Sequence, residues 1–127
     1  MKTIIKTTQA PAPIGPYNQA ILSGGMLFIS GQIALVPGTS ELANADIVTE
    51  TNQVMLNLKA VLTEAGMDFK HIVKTTIFLS DMALFTQVND VYGSFFSEED
   101  GYPARETVAV KGLPKNVNVE ISMIAIK

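Results

Sequence analysis

The residues best suited to act on a small polar ligand lie near the C-terminal end, Arg105 in GYPARETVAVKG and Glu120 in LPKNVNVEISM. The planar guanidinium of arginine grips a carboxylate through two parallel hydrogen bonds. A carboxylate beside it can position or deprotonate a water. Both residues fall in runs of small and β-branched residues, which read as strands over 104–111 and 117–126, joined by a turn at Pro114-Lys115-Asn116. Matching the apolar faces of this hairpin, Val108 and Val110 against Val117, Val119, Ile121 and Met123, pairs Val110 with Val117. Thr107 then faces Glu120, and Arg105 faces Ser122. All four polar residues fall on one side of the sheet. The plainer alternative is a cross-strand ion pair contributing about 0.2–1 kcal/mol.

The rest of the chain reads as the scaffold for that pair. TIIKT (3–7) is a short strand, and APAPIGPYNQ is a proline-set loop. Two strands, 17–23 and 26–33, flank Gly24-Gly25, a hairpin signal. Residues 34–46 form a loop. Val54, Met55, Leu58, Val61, Leu62 and Ala65 make the apolar face of a helix that Gly66 terminates. FKHIVKTTIFLS (69–80) is β-rich. A second helix begins near Asp81 and carries Leu84, Phe85, Val88, Val91, Tyr92 and Phe95 on its stripe. The order is β-β-β-α-β-α-β-β, an α+β arrangement in one domain, 1–127. Two helices cover only one face of such a sheet, and the apolar strands favour an oligomer that buries the other.

Composition narrows the chemistry. With 127 residues the chain is long enough for a real core. Charged residues make up 17%, below the roughly 25% of ordinary domains, which also favours a face hidden in an oligomer. The net charge of −3 and the absence of a basic stripe count against nucleic acid. There is no cysteine, so disulfides and thiolate catalysis are excluded. His71 has no companion ligands in a metal-binding pattern. Ser23 and Ser30 lack the setting of a hydrolase nucleophile, and no phosphate-binding glycine motif occurs. No segment approaches the ~20 apolar residues of a membrane helix, and a cytoplasmic location is the expectation.

IGPYNQA (14–20), FISGQI (28–33), VNDVYGSFF (88–96), PAR (103–105) and LPKNVNVEI (113–121), in this order and spacing, resemble the YjgF/RidA family of reactive-intermediate deaminases. The resemblance covers nearly the whole chain. It implies a chorismate-mutase-like fold, a mixed sheet with two helices on one face. It also implies a homotrimer with a barrel-like core and a ligand cleft at each subunit interface. The implied activity is cofactor-free hydrolysis of 2-imino acids, such as 2-aminoacrylate and 2-iminobutanoate, to 2-keto acids such as 2-ketobutyrate and ammonia. These imines escape from pyridoxal-phosphate enzymes such as threonine dehydratase, a link to isoleucine biosynthesis. By the same resemblance Arg105 holds the substrate carboxylate and Glu120 orients the attacking water. Tyr17 closes the cleft, Ser30 and Gly31 form its wall, and Asn89 and Thr107 complete substrate binding. Three positions depart from the family pattern: Asn18 after the tyrosine, Glu106 where a small residue is common, and Thr107 where cysteine or serine is common. If position 107 contributes mainly its backbone N–H, threonine is tolerated; if its side chain matters, substrate preference changes.

Three other readings stand beside the deaminase. A 2-keto acid-binding regulatory protein would use the same cleft. A ribonuclease or translation inhibitor is a label some family members carry, and the acidic charge opposes it. A chaperone-like role would act through exposed apolar surface.

Overall fold

The computed structural model describes residues 1–127. Six strands form one mixed sheet: β1 (Thr3–Ile5), β2 (Ala20–Ser23), β3 (Met26–Gln32), β4 (Ile72–Leu79), β5 (Ala104–Ala109) and β6 (Val119–Ile126). Their order in the sheet is β1-β2-β3-β6-β4-β5. Two helices, α1 (Ile47–Glu64) and α2 (Phe85–Gly93), pack on the same face. The sequential order of strands and helices is the one the sequence implies. Several strands are shorter than the sequence implies: β2 begins at Ala20, β4 at Ile72 because Phe69–His71 form a 3-10 turn, β5 ends at Ala109, and β6 begins at Val119 beyond the 3-10 turn Pro114–Asn116.

Local signals set the helix ends. Asp46 caps α1 by accepting from the Thr49 N–H at 2.7 Å, and Gly66 follows its C-terminus at φ +73°. Asp81 caps a single 3-10 turn, Met82–Leu84, that leads into α2. Phe95 falls beyond α2, where it packs with Phe96 around Phe69 at centroid distances of 5.5 and 5.4 Å. Val54, Leu58, Val61 and Leu62 of α1 and Val88 and Tyr92 of α2 share one core with Leu27, Ile29, Ile77, Leu79, Val119, Ile121 and Met123 of the sheet.

The expected β5–β6 hairpin does not form. β4 lies between the two strands, parallel to β5 and antiparallel to β6. The register Thr75↔Arg105 and Thr75↔Met123 puts Arg105 on the helix-covered face. Phe78↔Val108 and Phe78↔Glu120 put Glu120 on the opposite face. Arg105 and Thr107 therefore share one face, Glu120 and Ser122 the other, and the single polar cluster inferred from face-matching is corrected. The physical reason is that β4, flanked by strands on both sides, takes the pairing edge that a hairpin would have used.

The uncovered face carries exposed apolar side chains beside a polar group. Ile4, Phe28, Val108 and Ile126 lie on it and are 42–55% exposed. Within it Lys74 Nζ meets Glu106 Oε1 at 3.1 Å, and the Thr76 hydroxyl donates to the same carboxylate. These two bonds, Thr76 first, hold the Glu106 carboxyl below the usual carboxylate range. Glu106 thus serves the open face, away from Arg105.

Candidate active site

The site residues form two groups, one on each face. The first is built on a loop and a bulge. Gln19, buried just before β2, organises the proline loop. Its Nε2 donates to the carbonyls of Thr7, Ala10 and Pro11 at 3.0, 3.3 and 2.9 Å, and its Oε1 accepts from the Thr7 N–H at 2.8 Å. Ser30 ties that loop to β3: its hydroxyl donates to the Asn18 carbonyl at 2.6 Å, and its N–H to the Gln19 carbonyl at 3.0 Å. Tyr17, about half exposed, is steadied by the Ile14 N–H donating to its hydroxyl at 3.3 Å.

β3 breaks register with β6 between Ile29 and Gln32. This bulge brings Gly31 against Glu120 of β6. A Cβ at Gly31 would stand 2.5 Å from Glu120 Oε2 and 2.8 Å from its Cδ, so only glycine leaves the carboxylate its place. The cleft so formed has a volume of about 380 Å³ and is lined by Tyr17, Ser30, Gly31, Ile33, Pro114 and Glu120 among others. Burial raises the Glu120 carboxyl above its ordinary value, which moves it toward the range of a working base.

The second group surrounds Arg105, the only arginine in the chain. Its Nη1 donates to Asn89 Oδ1 at 2.7 Å. Its guanidinium carbon lies 5.1 Å from the Tyr92 ring centroid and 5.7 Å from that of Phe85. The Tyr92 hydroxyl in turn donates to Thr75 at 2.9 Å. No carboxylate of the chain pairs with Arg105. The fork opens on a cavity of about 470 Å³ lined by Asn89, Tyr92, Tyr102 and Pro103. Thr107, two residues on, has a buried hydroxyl with no hydrogen-bond partner in the chain. Such a group is left at a cost of about 1–3 kcal/mol unless something completes it.

The geometry therefore holds an arginine without a carboxylate partner in one cavity and a half-buried carboxylate in another, on opposite faces of one sheet. The sequence reading gathered Tyr17, Ser30, Gly31, Asn89, Arg105, Thr107 and Glu120 into one site; within one chain the structure brings Tyr17, Ser30, Gly31 and Glu120 together and sets Asn89 against Arg105 elsewhere. That reading missed Gln19, Phe85 and Tyr92 as supports. A glutamine inside a proline-rich loop, whose carbonyls lack regular partners, was the available signal for the first.

Residues 7–127 match the family model described as Endoribonuclease L-PSP. The crystal structure of the YjgF gene product of E. coli superposes with a TM-score of 0.92, at 43% identity, covering 98% of each chain. The chain belongs to the YjgF/RidA family. A goat family member, named 2-iminobutanoate/2-iminopropanoate deaminase, is 41% identical over 127 residues, 100% of this chain and 91% of its own. E. coli TdcF, solved with bound serine, matches with a TM-score of 0.93 and 41% identity over 98% of each chain.

Within the RidA frame, the contact of Gly31 with Glu120 yields a sharp expectation. Gly31→Ala should leave the melting temperature nearly unchanged, because the backbone there is unstrained and the side chain of Glu120 can swing away. It should lower any reaction that depends on the Glu120 carboxylate about 100-fold, since misplacement by an ångström costs that much. The check is a melting curve together with steady-state turnover of the purified variant.

Proposed function

We propose that the protein hydrolyses 2-imino acids, of the 2-iminobutanoate and 2-aminoacrylate type, to 2-keto acids and ammonia in a cleft formed between copies of the chain within a homotrimer. The observation that carries this reading is the separation of the two reactive groups, Arg105 free of any carboxylate on one face and Glu120 set over Gly31 on the other. A head-to-tail ring apposes one copy's Arg105 cavity to the next copy's Glu120 cleft and closes without leftover surfaces. The open face bearing the exposed Ile4, Phe28, Val108 and Ile126 is the kind of surface such an assembly covers. The name of the goat deaminase and the amino acid held by TdcF both favour a ligand with a carboxylate and a nitrogen on the adjacent carbon.

The chemistry follows from the groups present. The fork of Arg105 takes the substrate carboxylate through two charge-assisted bonds. The protonated imine carbon is electrophilic, and Glu120 accepts a proton as water adds to it. The same proton passes to the nitrogen; Glu120 then takes the proton of the new hydroxyl as the C–N bond breaks, ammonia leaves, the carbonyl forms, and that proton is released to water. Arg105, Glu120 and water suffice for this sequence, with no metal or cofactor assigned a step. The imines are of the kind released by pyridoxal-phosphate dehydratases.

The test uses imine generated by threonine dehydratase, with semicarbazide trapping whatever survives. Wild type should suppress trapping, while Arg105→Ala and Glu120→Gln should not. Co-refolding the two inactive variants should restore activity, because sites between unlike copies regain both groups; random mixing restores about a quarter of wild type. No restoration would overturn the site shared between copies. Tight binding of 2-ketobutyrate without turnover by wild type would make the cleft a sensor instead.

A further inference from the structure

Glu50 lies in the first turn of α1 and is fully buried. Three hydrogen bonds reach its carboxylate, all from the two residues that precede Glu120. Oε2 accepts from the Asn118 N–H at 2.8 Å and from the Val119 N–H at 3.3 Å; Oε1 accepts from Asn118 Nδ2 at 2.9 Å. Asn118 is held a second time from β4, where the Ser80 N–H donates to its carbonyl at 2.9 Å and the Ser80 hydroxyl to its Oδ1 at 3.2 Å. A buried carboxylate is a costly way to finish a strand, since well-packed apolar groups often do as well for stability. Its position near the helix N-terminus lessens that cost. What it secures is geometry. β6 begins at Val119, and Glu120, its next residue, must keep its carboxylate against Gly31 across the β3 bulge. Any freedom at Asn118 and Val119 passes directly to that carboxylate.

We infer that Glu50 is a positioning residue for Glu120: from inside α1 it fixes the first residues of β6 and so sets the carboxylate that handles the attacking water. The inference rests on the reading of Glu120 as the base. It distinguishes Glu50 from the substrate-gripping side of the site, which is built on β5 and α2 and does not touch it.

The test compares Glu50→Gln with wild type in the imine assay, alone and in the Glu120→Gln background. Glutamine keeps the volume and one oxygen for the backbone N–H groups, but sets an amide N–H against Asn118 Nδ2. In the wild-type background kcat should fall about tenfold with KM within about twofold, because the substrate carboxylate is held elsewhere. In the Glu120→Gln background the same change should cost less than about twofold, since coupled residues are not additive. Hydrogen exchange of the Val119 and Glu120 amides should quicken about tenfold, while that of β4 stays unchanged. An unchanged kcat, or an equal loss in both backgrounds, overturns the inference and leaves Glu50 a structural group. Should wild type itself turn over no imine, the deaminase reading falls, and the exchange at 119–120 alone decides whether Glu50 holds β6.

Discussion

Replacing Arg105 with alanine is expected to lower kcat/KM for imine hydrolysis by about 10²–10⁴-fold while leaving the fold intact. Two hydrogen bonds from a charged donor to a carboxylate are worth about 1.5–3 kcal/mol each, and each 1.36 kcal/mol is tenfold in rate. The fold should survive because Arg105 lies on an edge strand, bonds only to Asn89, and makes no ion pair. Arg105→Lys should recover little. A lysine keeps the charge but not the planar fork, and it cannot bond Asn89 and grip both carboxylate oxygens in the same geometry. Turnover measured beside a thermal melt decides the matter. A variant that melts like wild type and clears imine at the wild-type rate would remove Arg105 from the mechanism.

Glu120→Gln should cost a comparable amount, about 10²–10⁴-fold, the usual contribution of a positioned general base. Its signature is the pH dependence. Burial raises the Glu120 carboxyl above 4.5 in the folded protein, and the base acts only when ionised. For wild type, kcat/KM should rise with pH through that raised value, and the acid limb should be absent from the residual activity of the glutamine variant. Stability runs the other way. A carboxyl raised on folding stabilises the fold below the unfolded value and loses that contribution as pH climbs through the folded value. Glu120→Gln should therefore be at least as stable as wild type at neutral pH, with its advantage shrinking in acid. Melting curves across pH and rate profiles taken with excess dehydratase check both halves. A glutamine variant with the wild-type acid limb would assign that limb to another group.

Much of this arrangement was legible in the sequence because single features fixed it locally. The stripe Val54, Leu58, Val61 and Leu62 and Gly66 define α1 without tertiary help, whereas the Asp46 cap emerged only in the structure. The family resemblance drew Tyr17, Ser30, Gly31 and Glu120 into one cleft with Arg105, Asn89 and Thr107, and only the first four line one cavity within the chain. The failure came at β5. Strands adjacent in sequence pair about two times in three, and face-matching of Val108 with Val119 took that pairing for granted. IVKTTIFL, with Lys74, Thr75 and Thr76 in its middle and an alternating burial pattern, reads like an edge strand, so nothing in it told that β4 takes the place between β5 and β6. The alternation within β5 is also inverted. Arg105 and Thr107 point to the helices, and Glu106 and Val108 to the uncovered face. Rules that assign polar residues to solvent fail where the cavity lies under the helices and the open face carries apolar side chains. The bonds of Gln19 and Glu50 span 8 to 12 and 68 to 69 residues respectively. No local pattern records partners that distant.

The strand order carries a consequence for how the molecule is made. β6, the last strand in sequence, fills the middle of the sheet between β3 and β4. Until it arrives, the first 118 residues hold two fragments, a three-stranded meander and a parallel pair under α2, each with a long bare edge and half a core. Closing them demands contacts between residues about a hundred positions apart, such as Met26 with Ile126, which is slow and leaves apolar edges open to aggregation meanwhile. The segment that joins the two fragments is also the one that bears Glu120. A chain that stalls before its final strand therefore lacks the Glu120 carboxylate and its structural keystone at once.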